Sequence, residues 1–518
     1  MKPKGIIAAG HDITAEAAEH ILREGGNAFD AILAAHLAAC VAEPVLSSLG
    51  GGGFLLAKPH DRGAIIYDFF THTPSKKRPA HELDFRPITV DFGTAQQEFH
   101  IGQGTIAVPG SVKALFEIHR DLGCLALQEI AQPAIHYARE GVTLNPLQAY
   151  ILEIVGLIYS ATPQARQIFC RKDSKDQMLR VGEKLMQKTF ADTLETLVIE
   201  GEALFYRGEI AQAIVHECRE SGGHLSLSDL KNYRVIRRAP LDLRYRDTHV
   251  LTNPPPSSGG ILIAFALKLL NGLDCAHWRF GDAHYLLGLA QIMDLTSKAR
   301  VDMLANSSPE QDLAQHLLDE DYLQRYRQQI SATAQAQRGT THISIIDAHG
   351  NVASMTVSNG EGCGSIIPGT GIMLNNMLGE QDLNPGGFHQ WTENQRMSSM
   401  MAPSLLVEPV GRLTAMGSGG SNRIRSALLQ VFINLIDFGM DVETAVRSPR
   451  IHLEGNRLSV EGGFKMAEIE RLIRHYPDHE IWTELNLFFG GVHSVVQDTS
   501  GFSGAGDHRR GGVSRLVV

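Results

Sequence analysis

The chain has 518 residues, 43% hydrophobic and 20% charged, and these proportions exclude a disordered, collagen-like or coiled-coil chain. Lys plus Arg number 47 and Asp plus Glu 57, for a formal charge of −10. That balance excludes a nucleic-acid partner held by a basic face, because such affinity rests on cations that neutralise phosphates. No uncharged apolar run approaches the ~20 residues of a membrane helix, and the apolar residues 6–9 are too few for a secretory core. Cys40, Cys124, Cys170, Cys218, Cys275 and Cys363 show no C-x-x-C spacing. The expectation is a cytoplasmic protein with free thiols. Two short basic clusters, Ser75-Lys76-Lys77-Arg78 and Arg509-Arg510, read as solvated surface.

In chain order, residues 12–43 read as two helices. Asp12 or Thr14 is the candidate cap, Gly25-Gly26 is the break and Pro44 is the stop. The second helix is apolar nearly all round and should be buried. A glycine run at 50–53 leads into a strand candidate at 53–57, and 65–70 is another. Residues 110–330 carry mostly helical periodicity, broken by a Pro/Ser/Gly turn at 254–260 that enters an apolar helix at 261–270. The stretch 306–338 is polar and reads as a surface linker. The pattern then switches. Residues 341–347 read as a strand, 348–351 as a hairpin turn and 352–357 as the returning strand. A Gly-rich loop, 359–371, follows. No fixed-period repeat is present.

Several chemistries leave no trace. There is no G-x-x-x-x-G-K-[ST], no H-E-x-x-H, no G-x-G-x-x-G after a first strand and no G-x-S-x-G. Neither a metal nor a cofactor is signalled. One segment does carry chemistry: Gly339-Thr340-Thr341-His342 sits where the linker meets the hairpin. A cut before Thr340 would make it an N-terminus, whose hydroxyl attacks while its own α-amine, of pKa ~7.7–8.0, takes the proton. The bland alternative is a hairpin whose threonines serve strand propensity.

Motifs spaced along nearly the whole chain resemble the γ-glutamyltransferase (γ-glutamyl transpeptidase, glutathione hydrolase) family of N-terminal nucleophile hydrolases. They are residues 24–31, Glu43-Pro44, the glycine block 50–54, Val108-Pro109-Gly110, Asn232-Tyr233, 254–260, 340–356, Leu374-Asn375-Asn376 and 417–421. The resemblance implies an α/β (α+β) fold, a four-layer αββα sandwich whose two antiparallel sheets draw strands from both sides of a self-cleavage point. It implies cleavage between Gly339 and Thr340 into a large subunit, 1–339, and a small one, 340–518, that stay together as one intertwined unit. Thr340 would then cleave γ-glutamyl amides through an acyl-enzyme and pass the acyl group to water, an amino acid or a peptide. By the same resemblance Ser358 orients the nucleophile, and Gly419 and Gly420 form the oxyanion hole. Asn375, Asn376 and Glu380 receive the substrate's α-amino group, and Ser399 receives its α-carboxylate.

Two positions depart from the family pattern. The arginine that pairs with the α-carboxylate is replaced by Phe70, and the second carboxylate-binding serine by Met400. Phenylalanine cannot replace a charge-assisted, often bidentate pair. Either Arg423 or Arg425 supplies the cation, or the substrate is a different small amide, such as oxamate or another acyl amide. The loop after Ser358 is also short, and it carries a carboxylate, Glu361. A non-enzymatic binding relative and a metal-dependent hydrolase are the readings from other classes. Survival of Thr340, Ser358 and the glycine pair together speaks against the first.

Overall fold

The strands Thr341–Asp347 and Val352–Ser358 form an antiparallel hairpin with Thr341 opposite Val357 and Ile343 opposite Met355. Side chains alternate across a strand. Ile343, Ile345, Ala353, Met355 and Val357 therefore share one face, and they lie in the same core as the helix Ala28–Ala42. His342, Ser344, Ser354 and Thr356 share the other face and are also buried. His342 bonds Thr356 and Ser344 on its own face, at 2.8 Å each, and the two serines reach the other sheet: Ser354 Oγ donates to the Met416 carbonyl at 3.1 Å and Ser344 Oγ to that of His493 at 3.3 Å.

The computed structural model describes residues 2–91, 96–174, 177–273, 277–306, 317–319, 322–323, 339–384 and 386–518. The expected linker at 306–338 lies almost wholly outside them, as does Cys275. The hairpin is central in a seven-stranded antiparallel sheet. Its order is Val513–Val517, Gly5–Ala9, Thr341–Asp347, Val352–Ser358, Gly52–Lys58, Ile65–Asp68 and Ile236–Arg238. A six-stranded sheet faces it, in the order Gly501–Ala505, Gly491–Asp498, Leu413–Gly419, Ser404–Val407, Thr248–Thr252 and Leu241–Tyr245. Helices Asp12–Arg23 and Ala28–Ala42 cover the first sheet, and Ser258–Asn271 and Arg423–Ile436 the second. This is the expected αββα sandwich. Each sheet holds strands from both sides of Gly339.

Several local expectations are corrected. The first helix is capped by His11, whose Nδ1 accepts from Ile13 N–H, not by Asp12 or Thr14. Thr14 instead donates to Glu43. The helix Ala28–Ala42 is buried along its whole length, as its composition requires, and a reciprocal Asn27–Asp30 capping box starts it. The helix expected at 261–270 begins at Ser258, so the two glycines form its first turn rather than the preceding loop. Close packing explains them: a Cβ at Gly259 or Gly260 would overlap the carbonyl of Met400 or Asn253. Three strands within 236–252 escape a helical reading of this region: Ile236–Arg238 and Leu241–Tyr245 are short edge strands rich in polar residues, and Thr248–Thr252 is a five-residue internal one. Arg509-Arg510 is not surface. Arg509 is buried and bound to Glu461 at 2.6 Å and Asp507 at 3.1 Å, beside an Arg450–Asp507 pair at 2.7 Å. Among the described residues no helix is long and apolar enough to cross a membrane.

Candidate active site

Thr340 precedes the first paired residue of the hairpin, and Ser358 ends the partner strand. With Thr341 opposite Val357, that register places Thr340 and Ser358 across from each other. Their hydroxyls meet on one atom. Thr340 Oγ1 donates to the Gly339 carbonyl oxygen at 2.7 Å, and Ser358 Oγ donates to the same oxygen at 2.9 Å. The Gly360 N–H in turn holds Ser358 Oγ at 3.0 Å. The Gly339 N–H donates to Glu361 Oε1 at 2.9 Å. The residue before the candidate nucleophile is thus gripped at both its backbone polar groups.

The second sheet reaches this point through glycines. A Cβ on Gly417 would overlap the His342 ring, and one on Gly419 would overlap the Thr340 carbonyl oxygen. Gly420, at φ 121°, occupies a backbone region that L side chains rarely adopt. The strand Leu413–Gly419 therefore comes up against Thr340 and then turns into the helix Arg423–Ile436.

A cavity opens beside Thr340 and Ser358. It brings together Phe70, Glu380, Ser399 and Met400 from three separated segments. Among the described residues lining it there is no Lys, Arg or His, while Glu380 and Asp382 are acidic. Neither arginine proposed from the sequence fills the gap left by Phe70. Arg423 lines a different cavity, and Arg425 faces a third, with Asn422 and His452. Arg396 lies close to Phe70 but is engaged by Asp68, Tyr233 and the Phe70 carbonyl.

Asn375 does not reach the cavity. Its amide donates to the carbonyls of Gly50 and Ala107, and its oxygen accepts from the N–H groups of Ala107 and Met377. Two donors and two acceptors are the full capacity of an asparagine side chain. Asn376 is likewise structural, with Oδ1 accepting from Glu361 N–H at 3.0 Å and Nδ2 donating to the His100 carbonyl at 3.2 Å. Asn376 thereby supports the loop that carries Glu361, and Asn375 ties its own segment to Gly50 and Ala107. Ser399 does line the cavity, and its Oγ accepts from Met401 N–H at 3.1 Å.

Glu43, Glu361 and Arg510 were not singled out as site residues from the sequence. Glu361 had a signal, a carboxylate among glycines. Arg510 had none, because charge clusters usually mean solvent. Glu43 is buried at the end of the helix Ala28–Ala42, and its carboxyl accepts from Thr341 Oγ1 and Thr14 Oγ1, both at 2.9 Å. Burial pushes this carboxyl up from 4.5 to about 7, partly offset by the two hydroxyls and by Arg510. A carboxyl raised in the folded state opposes folding once it ionises, so the cost grows as pH rises from about 4.5 to 7. Glu43→Gln removes the ionisation. Its stability relative to wild type is expected to increase through that window, by up to ~1.4 kcal/mol per pH unit. Thermal melts of both proteins from pH 5 to pH 8 check this, and a pH-independent difference contradicts it.

The family model described as Gamma-glutamyltranspeptidase matches residues 14–517. The chain is 30% identical over 512 residues to the acylase ACY 1 proenzyme of Pseudomonas sp. (strain V22), covering 96% of this chain and 90% of that one. It is 29% identical over 502 residues to the glutathione hydrolase proenzyme of Escherichia coli (strain K12), covering 90% and 84%. Cephalosporin acylase from Bacillus halodurans superposes with a TM-score of 0.85 at 25% identity, over 99% of this chain and 96% of that one. The gamma-glutamyltranspeptidase of Helicobacter pylori superposes with 0.53 at 25% identity, over 61% and 88%. A match of this length, on an αββα sandwich with a threonine at the sheet junction, makes the chain a member of the gamma-glutamyltranspeptidase family and an enzyme of the N-terminal nucleophile hydrolase type.

Proposed function

We propose that the chain cuts itself between Gly339 and Thr340 and that the new N-terminal threonine cleaves γ-glutamyl or closely related acyl amides. The observation that carries this is the convergence of the Thr340 and Ser358 hydroxyls on the Gly339 carbonyl. In the self-cleavage, Thr340 Oγ bonds to the Gly339 carbonyl carbon as the C–N bond breaks. The hydroxyl proton ends on the released nitrogen, which becomes the α-amine, and water hydrolyses the ester. Residues 1–339 and 340–518 then form a heterodimer without a disulfide, since both sheets interleave strands from the two parts.

In the mature enzyme Thr340 Oγ attacks the substrate carbonyl, with its α-amine as the base. Ser358 orients the hydroxyl. The backbone N–H groups of Gly419 and Gly420 take the oxyanion, where preorganised donors are worth most. Glu380, in the cavity beside Thr340, receives an amine on the acyl group. Free thiols at Cys40, Cys124, Cys218 and Cys363 support a cytoplasmic setting.

A specific observation favours a second reading, in which the acyl group has no α-carboxylate. Phe70 and Met400 stand at the carboxylate-anchor positions, and no cation is among the described residues lining that cavity. The two readings part on one pair of substrates, γ-glutamyl-p-nitroanilide and 4-aminobutyryl-p-nitroanilide, which differ only in the α-carboxylate. A bound carboxylate contributes ~1.5–3 kcal/mol, or about tenfold or more in kcat/KM. Preference of that size for the γ-glutamyl compound supports γ-glutamyl cleavage. Equal or better turnover of the 4-aminobutyryl compound moves the enzyme to carboxylate-free acyl groups. Turnover of neither, by processed protein, removes both.

A further inference from the structure

The helix Arg423–Ile436 carries Arg425 in its first turn, facing a cavity that is separate from the one beside Thr340 and smaller than it. Leu262, Ile263, Met293, Leu429 and Leu453 make most of its wall apolar. His452 also lines it, but burial lowers that imidazole to about 4, so it is neutral at pH 7. Arg425 is then the one charged side chain among the described residues of the wall.

Arg425 is only 7% exposed, and its Nε is buried without a partner. Among the described residues its guanidinium makes no hydrogen bond and no ion pair. The carboxylates around it are committed elsewhere. Glu454 accepts from Asn422 Nδ2 at 2.7 Å and meets His452 Nε2 at 3.2 Å, and Asp382 accepts from Ser421 Oγ at 2.8 Å. Burial and the nearby Arg300 lower the Arg425 pKa to about 10, with Glu454 and Asp382 offsetting part of that and Arg423 adding to it, so the group stays charged at neutral pH.

A guanidinium enclosed by apolar walls loses its hydration, and here no protein acceptor replaces it. Water restores a hydrogen bond but no charge, whereas an anion supplies both in one charge-assisted contact. The N-terminal end of this 14-residue helix adds partial positive charge at the same place. We propose that this cavity binds a small monovalent anion, a halide or a one-carbon carboxylate, on Arg425. The apolar wall and the small space exclude a larger or doubly charged ion. The helix begins directly after the turn that carries Gly419 and Gly420, and Arg300 donates to Asn422 Oδ1 in that turn at 3.1 Å from the helix Ala283–Asn306. The anion therefore fastens the turn by which the second sheet meets Thr340.

The test takes the full chain as purified, cut or uncut, so it does not depend on the self-cleavage or on the substrate. The protein is desalted into sodium gluconate, whose anion is too large for the cavity, and is titrated at constant total salt with sodium chloride, bromide or formate. The melting temperature is expected to rise and saturate, by ~1–2 °C at ten times the dissociation constant for a chain of this length. A response to the halides alone assigns a halide site, and a response to formate alone a carboxylate site. Arg425→Met keeps the length of the side chain without its charge and is expected to melt alike in all four salts. In crystals grown with sodium bromide the anomalous signal is expected within hydrogen-bond reach of Arg425. Equal wild-type melts in all four salts overturn the proposal, as does an undiminished response in Arg425→Met. A bromide peak at Arg425 without a response in solution marks an adventitious ion only and overturns it as well. The wild-type titration and the bromide position stand even where the variant fails to fold.

Discussion

Thr340→Ala is expected to run as one chain of 56.6 kDa. The wild type is expected to run under denaturing conditions as two fragments, of about 37 and 20 kDa, the smaller beginning at Thr340. The effect is all or none because the attacking oxygen is removed. The neighbouring grip on Gly339 persists in the variant, since Ser358 still donates to its carbonyl and Glu361 still accepts its N–H. The variant therefore folds as a precursor, and an unchanged melting temperature checks that. Thr340→Ser restores the oxygen without the methyl that stiffens the rotamer, and it is expected to cleave more slowly than wild type. Intact mass spectrometry and N-terminal sequencing decide the matter. Cleavage in Thr340→Ala, or cleavage elsewhere in wild type, contradicts the assignment of the nucleophile.

Gly419→Ala is expected to lower kcat by about 10²–10³, the loss typical of a displaced oxyanion donor. A Cβ here meets backbone, the Thr340 carbonyl oxygen, rather than the yielding end of a long side chain. Either the hairpin or the strand Leu413–Gly419 must shift, and the nucleophile and the glycine N–H groups lose their mutual placement. Self-cleavage slows as well, because it uses the same threonine. Gly63→Ala is the control, since a Cβ there meets nothing within 4 Å, and it is expected to match wild type in both readouts. Wild-type cleavage and turnover in Gly419→Ala would show that the two sheets approach Thr340 less closely than the structure has them.

The legible part of this protein is what local pattern and ordered motifs can express. The buried helix Ala28–Ala42 is visible because fifteen nearly unbroken apolar residues admit no solvated face. The hairpin that starts at Thr341 is visible because strand period and turn chemistry agree. Glu361 is half legible. Its loop is unusual in the sequence, but its bond to the Gly339 N–H is not implied by a separation of 22 residues.

By itself, then, the sequence determined the family, the αββα class, the threonine before the hairpin and the loss of a cation at Phe70. The threonine before the hairpin follows from short-range order, and the family, the sandwich class and the lost cation follow from the resemblance its ordered motifs carry; none of these needs coordinates. The tertiary structure decided where charge lies around that threonine. It spent Asn375 on the carbonyls of Gly50 and Ala107, buried Arg509 in an ion-pair network, and turned Arg510 and Arg423 into a cavity across Gly339 from Glu380. The physical reason is the same in each case. A polar side chain's role is set by the partners that reach it from distant segments, and a charge looks alike in sequence whether it faces water, a carboxylate or an empty cleft.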